Sequence, residues 1–198
     1  MANVRIQFTR FSAFYSPLIA TVAGGFLAKE GLEGDLSVAD HGVSALEALL
    51  RGDVDLVQSA PSQAFASAEQ KEMPPAVHFA QINNTDGFFI VGRQPESDFS
   101  IENLKGKRVI VDHGGQPRHM FNYACHKAGL GLSDFEAIDA GSADDMVAAF
   151  KGGEGDYVHL QGPAPQQLEN EGSGVVVGRV GDWVGPCAFS SLASRSDW

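Results

Sequence analysis

The stretch Ser44-Ala-Leu-Glu-Ala-Leu-Leu-Arg-Gly-Asp-Val-Asp-Leu-Val57 decides the fold. Ser44 followed three residues later by Glu47 is a capping-box pattern, in which hydroxyl and carboxylate satisfy the free N–H groups of a first helical turn. Leu46, Leu49 and Leu50 then recur at helical spacing, and Gly52 stands where a helix ends. Residues 53–57 read as a short strand. A short helix that hands the chain straight to a strand is the working unit of an α/β protein.

The same alternation extends in both directions. Val4, Ile6 and Phe8 alternate as a strand. Ser16-Pro17 then reads as an N-cap followed by proline at the first helical position. Leu18, Ile19, Val22, Phe26 and Leu27 predict one helix running to a cap at Gly31, and Leu36 and Val38 the next strand. Pro61 and Ser62 open a helix that ends near Glu72, and 76–81 and 87–92 read as two further strands. Residues 93–99 break the pattern with Gln-Pro-Glu-Ser-Asp, and a second series follows. In that series 109–111 is a strand, and Met120, Phe121, Ala124, Cys125 and Ala128 share one helical face closed by Gly129. Ala137-Ile138 is a short strand, Ser142 and Asp145 cap a helix ending at Gly152, and 157–160 is a strand. Pro163 opens a helix, 175–177 is a strand, and 188–193 is a strand running back out. No internal repeat is visible in the sequence itself.

Strands alternating with helices imply parallel sheets covered on both faces, and two series separated by a break imply two lobes. The expected division is 1–92 plus 186–198 for the first lobe and 93–185 for the second. Charge narrows the partners. A net charge of −11 over 198 residues opposes nucleic-acid binding, which needs a basic surface. No run of about 18 apolar residues is present to span a membrane. Residues 1–6 lead directly into a strand without the apolar core of a secretion signal. Two cysteines, Cys125 and Cys187, make neither a disulfide framework nor a zinc site.

Open parallel sheets bind ligands at the carboxyl ends of their strands. Those ends carry the candidate ligand-binding residues. Phe14, Tyr15 and Ser16 offer an aromatic wall, a hydroxyl and free helix N–H groups, or else Phe14 and Tyr15 staple the helix start. Gln58, Ser59 and Ser62 follow the third strand and could hydrogen-bond a polar ligand, or Ser62 could cap its helix. Asn83, Asn84 and Asp86 serve a turn or a ligand contact equally well. His113, Gly114, Gly115, Gln116 and Arg118 form the most suggestive segment, with two glycines that let backbone N–H groups approach an anion. The Gly-Lys-Ser/Thr ending of a phosphate loop is absent there. Gln161 and Gly162 repeat the logic at another strand end. His119, Cys125 and His126 do not read as metal ligands, because Cys125 falls on the apolar helical face and His126 points about 100° away. No metal, no cofactor and no catalytic set is expected, and Cys187 has no identifiable base.

Several stretches carry a family resemblance. They are Phe14-Tyr-Ser-Pro-Leu18 running into Gly25-Phe-Leu-Ala-Lys-Glu-Gly31, and Ala45-Leu-Glu-Ala-Leu-Leu-Arg-Gly-Asp-Val-Asp55. Ile101-Glu-Asn-Leu-Lys-Gly-Lys-Arg-Val109 and Gly152-Gly-Glu-Gly-Asp-Tyr157 continue the series. In this order and spacing the chain resembles the type II periplasmic substrate-binding proteins of nitrate, sulfonate and taurine ABC transporters, grouped with the thiamine-pyrimidine synthases. The resemblance implies two α/β lobes, two crossing strands, and a small organic anion or aromatic acid bound in an interlobe cleft that closes by hinge motion. It also implies an ABC permease as partner and a periplasmic location, with a cytoplasmic one following if no leader was removed.

Family members run on for about another hundred residues that return to the first lobe, a length within ordinary domain sizes. The C-terminal part of that lobe is therefore expected to be missing, leaving an apolar sheet face for a homodimer to cover unless the chain is a fragment. The alternative function is a cytosolic enzyme on the same fold, either a decarboxylase or lyase using His113 and His119 or a thiamine-pyrimidine synthase-like protein. The synthases are expected to carry a cysteine-rich motif and a first-lobe lysine, and residues 58–65 contain no lysine. Desulfinases of this fold carry a cysteine in the first loop, and residues 11–17 contain none.

Overall fold

A computed structural model describes residues 1–40, 44–113 and 115–198. Its first half runs β1 (Ala2–Phe8), α1 (Ser16–Ala23), α2 (Phe26–Lys29), β2 (Leu32–Val38), α3 (Ala45–Arg51), β3 (Leu56–Ser59), α4 (Phe65–Glu69), β4 (Ala76–Asn83) and β5 (Phe88–Gly92). There follow β6 (Arg108–Ile110), α5 (Gly115–Lys127), β7 (Glu136–Ile138), α6 (Ala143–Lys151), β8 (Tyr157–Gln161), α7 (Ala164–Asn170), β9 (Val175–Arg179), α8 (Val180–Val184) and β10 (Ser190–Arg195). Two compact units result, one of residues 1–84 with 188–198 and one of residues 85–187.

Each unit holds a five-stranded sheet, ordered β2-β1-β3-β10-β4 in the first and β7-β6-β8-β5-β9 in the second. The two orders are the same plan. β6, β7, β8, β9 and β5 stand where β1, β2, β3, β4 and β10 stand. The repeat that the sequence conceals is thus present in the topology. The expectation of parallel sheets needs correction, because both sheets are mixed. β1 is parallel to β2 and β3, and β6 to β7 and β8. β10 runs antiparallel between β3 and β4, and β5 antiparallel between β8 and β9. In each unit the reversed strand is the one on which the chain crosses over. The division also differs from the expected one. β5 pairs with β8 from Phe88↔Gln161 to Gly92↔Tyr157, so it belongs to the second unit.

The first sheet packs on both faces. Leu56 joins Val4, Ile6, Phe8, Tyr15 and Leu18, while its neighbour Val57 joins Ala45, Ala48 and Leu49 of α3, as strand alternation requires. The Ser44 hydroxyl accepts the Glu47 backbone N–H, and Gly52 closes α3 in the left-handed conformation. The single helix expected between Ser16 and Gly31 is broken in two. Gly25 has φ 71°, and a Cβ on Gly24 would lie 2.7 Å from the Ala20 carbonyl oxygen. Phe26 therefore faces out, beneath the Lys29 ammonium 4.7 Å from its ring centre, instead of joining the apolar face. On the edge strand β4, Val77 and Phe79 are exposed.

An arginine–aspartate contact ties the first strand of each series to the segment entering the third. Arg5 donates from Nη2 to Asp55 Oδ1 at 2.7 Å and from Nε to Asp55 Oδ2 at 3.1 Å, while its backbone N–H donates to Oδ2 at 2.9 Å. That hydrogen-bonded guanidinium holds the Asp55 carboxyl below its usual range. In the second unit the Arg108 backbone N–H donates to Asp156 Oδ2 at 2.8 Å, with the charged groups 3.9 Å apart.

Candidate functional site

In the first unit, the carboxyl ends of β1 and β3 carry a polar network. Gln58 and Ser59 do not follow β3 but are its last two residues, both buried. Gln58 Oε1 accepts from the Thr9 hydroxyl at 2.7 Å and from its backbone N–H at 3.3 Å. The Ser59 hydroxyl donates to Gln63 Oε1. Ser191 Oγ donates to the Ser59 carbonyl at 3.5 Å and lies 2.7 Å from His78 Nδ1. Burial lowers the His78 pKa. Ser62 sits half-buried in a 3-10 turn (Pro61–Ala64) whose N-cap is Ala60, and it makes no capping bond.

The loop after β1 is built differently from the expectation. Ser12, not Ser16, is the capping serine. Its hydroxyl accepts the Phe14 backbone N–H at 3.2 Å and starts a 3-10 turn (Ala13–Tyr15), and Ser16 is the exposed first residue of α1. Tyr15 is buried against Phe8, with ring centres 6.2 Å apart, so its ring packs in the core as a staple would. Phe14 is half-buried, edge-on to Phe189 at 5.4 Å, and its carbonyl accepts from Asn83 Nδ2 at 2.9 Å. Asn83 also accepts the Ser190 hydroxyl at 3.0 Å, so it ties β4 and β10 to the loop.

In the second unit, α5 opens at Gly115 a few residues after β6. Gly114 lies outside the described residues. His113 Nδ1 stands 3.2 Å from Asp139 Oδ1, both side chains more than half exposed. Gln116 and Arg118, half-buried, occupy the first turn, and the Gln116 Oε1 has no partner among the described residues. Gln161 ends β8 opposite Phe88, and the Gly162 backbone N–H donates to the Gly87 carbonyl at 3.2 Å.

Two buried polar groups stand beside this edge. His159 is wholly buried, its ring 4.6 Å from that of Phe88 and 4.9 Å from that of Phe121, and neither ring nitrogen has a partner among the described residues. Burial first, and then the Arg118 charge, pushes its pKa down to about 3, so the ring is neutral. Sequence reading passed over His159, although an imidazole in the middle of the apolar run 157–160 was a visible signal. Asp86, which the sequence left between turn and ligand contact, is buried with its carboxyl pushed up to about 7 by burial.

Chemically, these edges offer hydrogen-bond donors, acceptors and ring faces. Burial pushes the Cys125 thiol up to about 12, which keeps it protonated and unreactive. The Ser191–His78 contact resembles a nucleophile with its base, but Ser191 is buried and its hydroxyl is also turned to the Ser59 carbonyl. Among the described residues no group of three His, Cys, Asp or Glu side chains could hold a metal ion.

Comparison with known proteins agrees with this architecture. YtlA of Bacillus subtilis (strain 168), named for an inferred binding role, is 26% identical over 200 residues, covering 100% of this chain and 60% of YtlA. The periplasmic aliphatic sulphonate binding protein SsuA from Escherichia coli superposes with a TM-score of 0.78 at 18% identity, covering 100% of this chain and 66% of that one. The periplasmic nitrate-binding protein NrtA from Synechocystis PCC 6803 does so with 0.67 at 19% identity, covering 100% and 56%. The fold is that of the type II periplasmic binding proteins, and the chain spans about two thirds or less of these relatives' lengths. The family described as NMT1/THI5 like matches residues 13–193, nearly the whole sequence, and the chain belongs to that family.

Proposed function

We propose that this chain is part of the solute-binding component of an ABC-type import system and holds a small organic anion at the strand-end loops of its units. The observation that carries the reading is α5. This helix of 13 residues opens just beyond the carboxyl end of β6 with Gln116 and Arg118 in its first turn. A helix N-terminus presents free N–H groups and the positive end of the helix dipole, and Arg118 adds a full charge. Gln161 and Gly162, at the end of β8, are further contacts in that unit, and Phe14 and Ser16 are the candidate contacts of the first unit taken by itself. Tyr15 supports Phe14 from the core, with ring centres 5.5 Å apart. SsuA and NrtA are named for binding a sulphonate and nitrate, which are both anions. The partner that follows from this reading is an ABC permease.

A ligand that binds only the native state raises the melting temperature. A panel of small sulfonates, carboxylates and aromatic acids should therefore contain members that raise it, and Arg118→Ala should remove the shift. A panel in which no acid raises the melting temperature rejects the ligand class.

A further inference from the structure

β4 ends at Asn83 and β10 begins at Ser190, close to the points at which the chain leaves the first unit and comes back to it. Sequence alone left Asn83 between a turn and a ligand contact, and the structure gives it a third role. Asn83 Nδ2 donates to the Phe14 carbonyl at 2.9 Å, 69 residues back along the chain. Its Oδ1 accepts the Ser190 hydroxyl at 3.0 Å, 107 residues on. Its backbone carbonyl accepts the Phe189 N–H at 3.1 Å, and the Phe189 ring meets that of Phe14 edge-on at 5.4 Å. One half-buried residue thus joins the loop after β1, the end of β4 and the start of β10.

The junction asks for a donor and an acceptor side by side, because a carbonyl lies on one side and a donating hydroxyl on the other. The amide of Asn supplies both, whereas a carboxylate has acceptors only. The loop held in this way carries Phe14 and Ser16, the candidate contacts of the first unit. Ser12 shapes its 3-10 turn locally, and Tyr15 anchors one side of that turn in the core. Asn83 fixes the other side, at Phe14.

Resting on the binding-protein reading above, we propose that Asn83 is the positioning residue of the first unit's candidate site: its amide holds the Phe14 loop in register with the two strand ends through which the chain leaves and re-enters the unit, and passes any displacement of those ends to Phe14. Its part is played through Phe14, since both ends of the amide are engaged within the protein.

Two substitutions separate the two bonds. Asn83→Asp keeps an acceptor for Ser190 but turns a second acceptor toward the Phe14 carbonyl. Ser190→Ala leaves the Phe14 bond and removes only the link to β10. Amide hydrogen exchange followed by mass spectrometry reads the loop in residues 11–18 without any ligand, with residues 2–8 of β1 as the internal reference. Asn83→Asp should speed exchange in 11–18 at least about fivefold, the scale of one hydrogen bond, and leave 2–8 unchanged. Ser190→Ala should speed it by less, although no bond to the loop has been removed. Calorimetry then reads the site, with ethanesulfonate, propanoate and benzoate as probes. Affinity for the tightest of the three should fall about tenfold in Asn83→Asp and about threefold in Ser190→Ala.

Exchange in 11–18 that is unchanged in both variants, or that rises together with 2–8, overturns the proposal. Faster exchange with affinity intact also overturns it, and leaves the binding-protein reading standing. If Asn83→Asp does not fold, Ser190→Ala decides by the same two readings. If none of the three probes binds the wild-type protein, the acid of the wider panel that most raises its melting temperature takes their place. If no acid does, the binding-protein reading falls, and the exchange result still decides whether Asn83 holds the loop.

Discussion

In the first unit α3 ends on Leu50-Arg51-Gly52, and in the second α6 ends on Phe150-Lys151-Gly152. The two helices hold the same place in the same plan, each leading into the third strand of its sheet. Their apolar residues fare differently. Phe150 is fully buried under the Arg93 guanidinium, 3.7 Å from its ring centre, while Leu50 is 43% exposed. Arg93 also donates to the carbonyls of Phe150, Glu154 and Gly155, locking the helix end to the loop that follows. The first unit puts its strongest polar clamp elsewhere, between Arg5 and Asp55, where the second has the looser contact of Arg108 with Asp156. One topology thus tolerates two ways of fixing the same junction, by a buried ring and cation in one unit and by a forked ion pair in the other.

Truncating the two helix ends tests this contrast most severely. Phe150→Ala should cost roughly 3–5 kcal/mol of unfolding free energy, as a large core truncation does, and Leu50→Ala less than about 1 kcal/mol. Urea unfolding of both variants measures the difference, and comparable losses would show that the junctions are not fixed differently.

The turns beyond the helices sharpen the comparison. Gly52 reverses the chain in one step at φ 80°, with Arg195 Nη1 2.8 Å from where a Cβ would stand, whereas the second unit uses Gly152 and then Gly153 at φ 93°, with open space around it. A left-handed alanine costs about 1–2 kcal/mol at either site. Gly52→Ala should lower the melting temperature further than Gly153→Ala, because it must also displace Arg195. Equal losses would mean that Arg195 moves freely.

The helix starts should give the smallest effect. Ser142 both accepts from the Asp145 backbone N–H, at 3.2 Å, and donates its own N–H to the Asp145 carboxylate, at 3.1 Å. Among the described residues the Ser44 hydroxyl makes one bond, accepting the Glu47 backbone N–H at 3.4 Å. Ser142→Ala should cost about 1 kcal/mol and Ser44→Ala about half that, by thermal unfolding. Equal costs would mean that the second bond of the Ser142 hydroxyl, donated to Asp145 Oδ2 at 2.6 Å, adds nothing.

These local devices were the legible part of the sequence. The caps at Ser44 and Ser142, the helix end at Gly52 and the alternation of Val4, Ile6 and Phe8 each act within a few residues and stand where they were read, whereas the cap read at Ser16 is made by Ser12 and Ser62 makes none. Pairing between distant strands leaves no such mark. That β5 joins β8 and β9, and that both sheets are mixed, depends on partners about 65 to 136 positions away. The break at Gly24-Gly25 was hidden because the apolar spacing continues through Phe26, which then points outward. At the candidate site, strand-end position was readable but side-chain role was not. Gln58 and Ser59 are bound to Thr9 and Gln63, Tyr15 is part of the core, and the bonds of the Asn83 amide to Phe14 and Ser190 are visible only once its surroundings are folded.

β10 lies between β3 and β4, yet it is made after the whole of residues 85–187. On the ribosome, the second unit is a continuous length of chain that can complete its sheet as it emerges, since domains fold as units during synthesis. The first cannot. Until its last strand arrives, the facing edges of β3 and β4 have no partner, and unpaired strand edges invite pairing with other chains. The order of manufacture is therefore opposite to the order of completion. The unit whose strands are made first closes its sheet only after the second, and a nascent chain stalled before residue 190 leaves that sheet open.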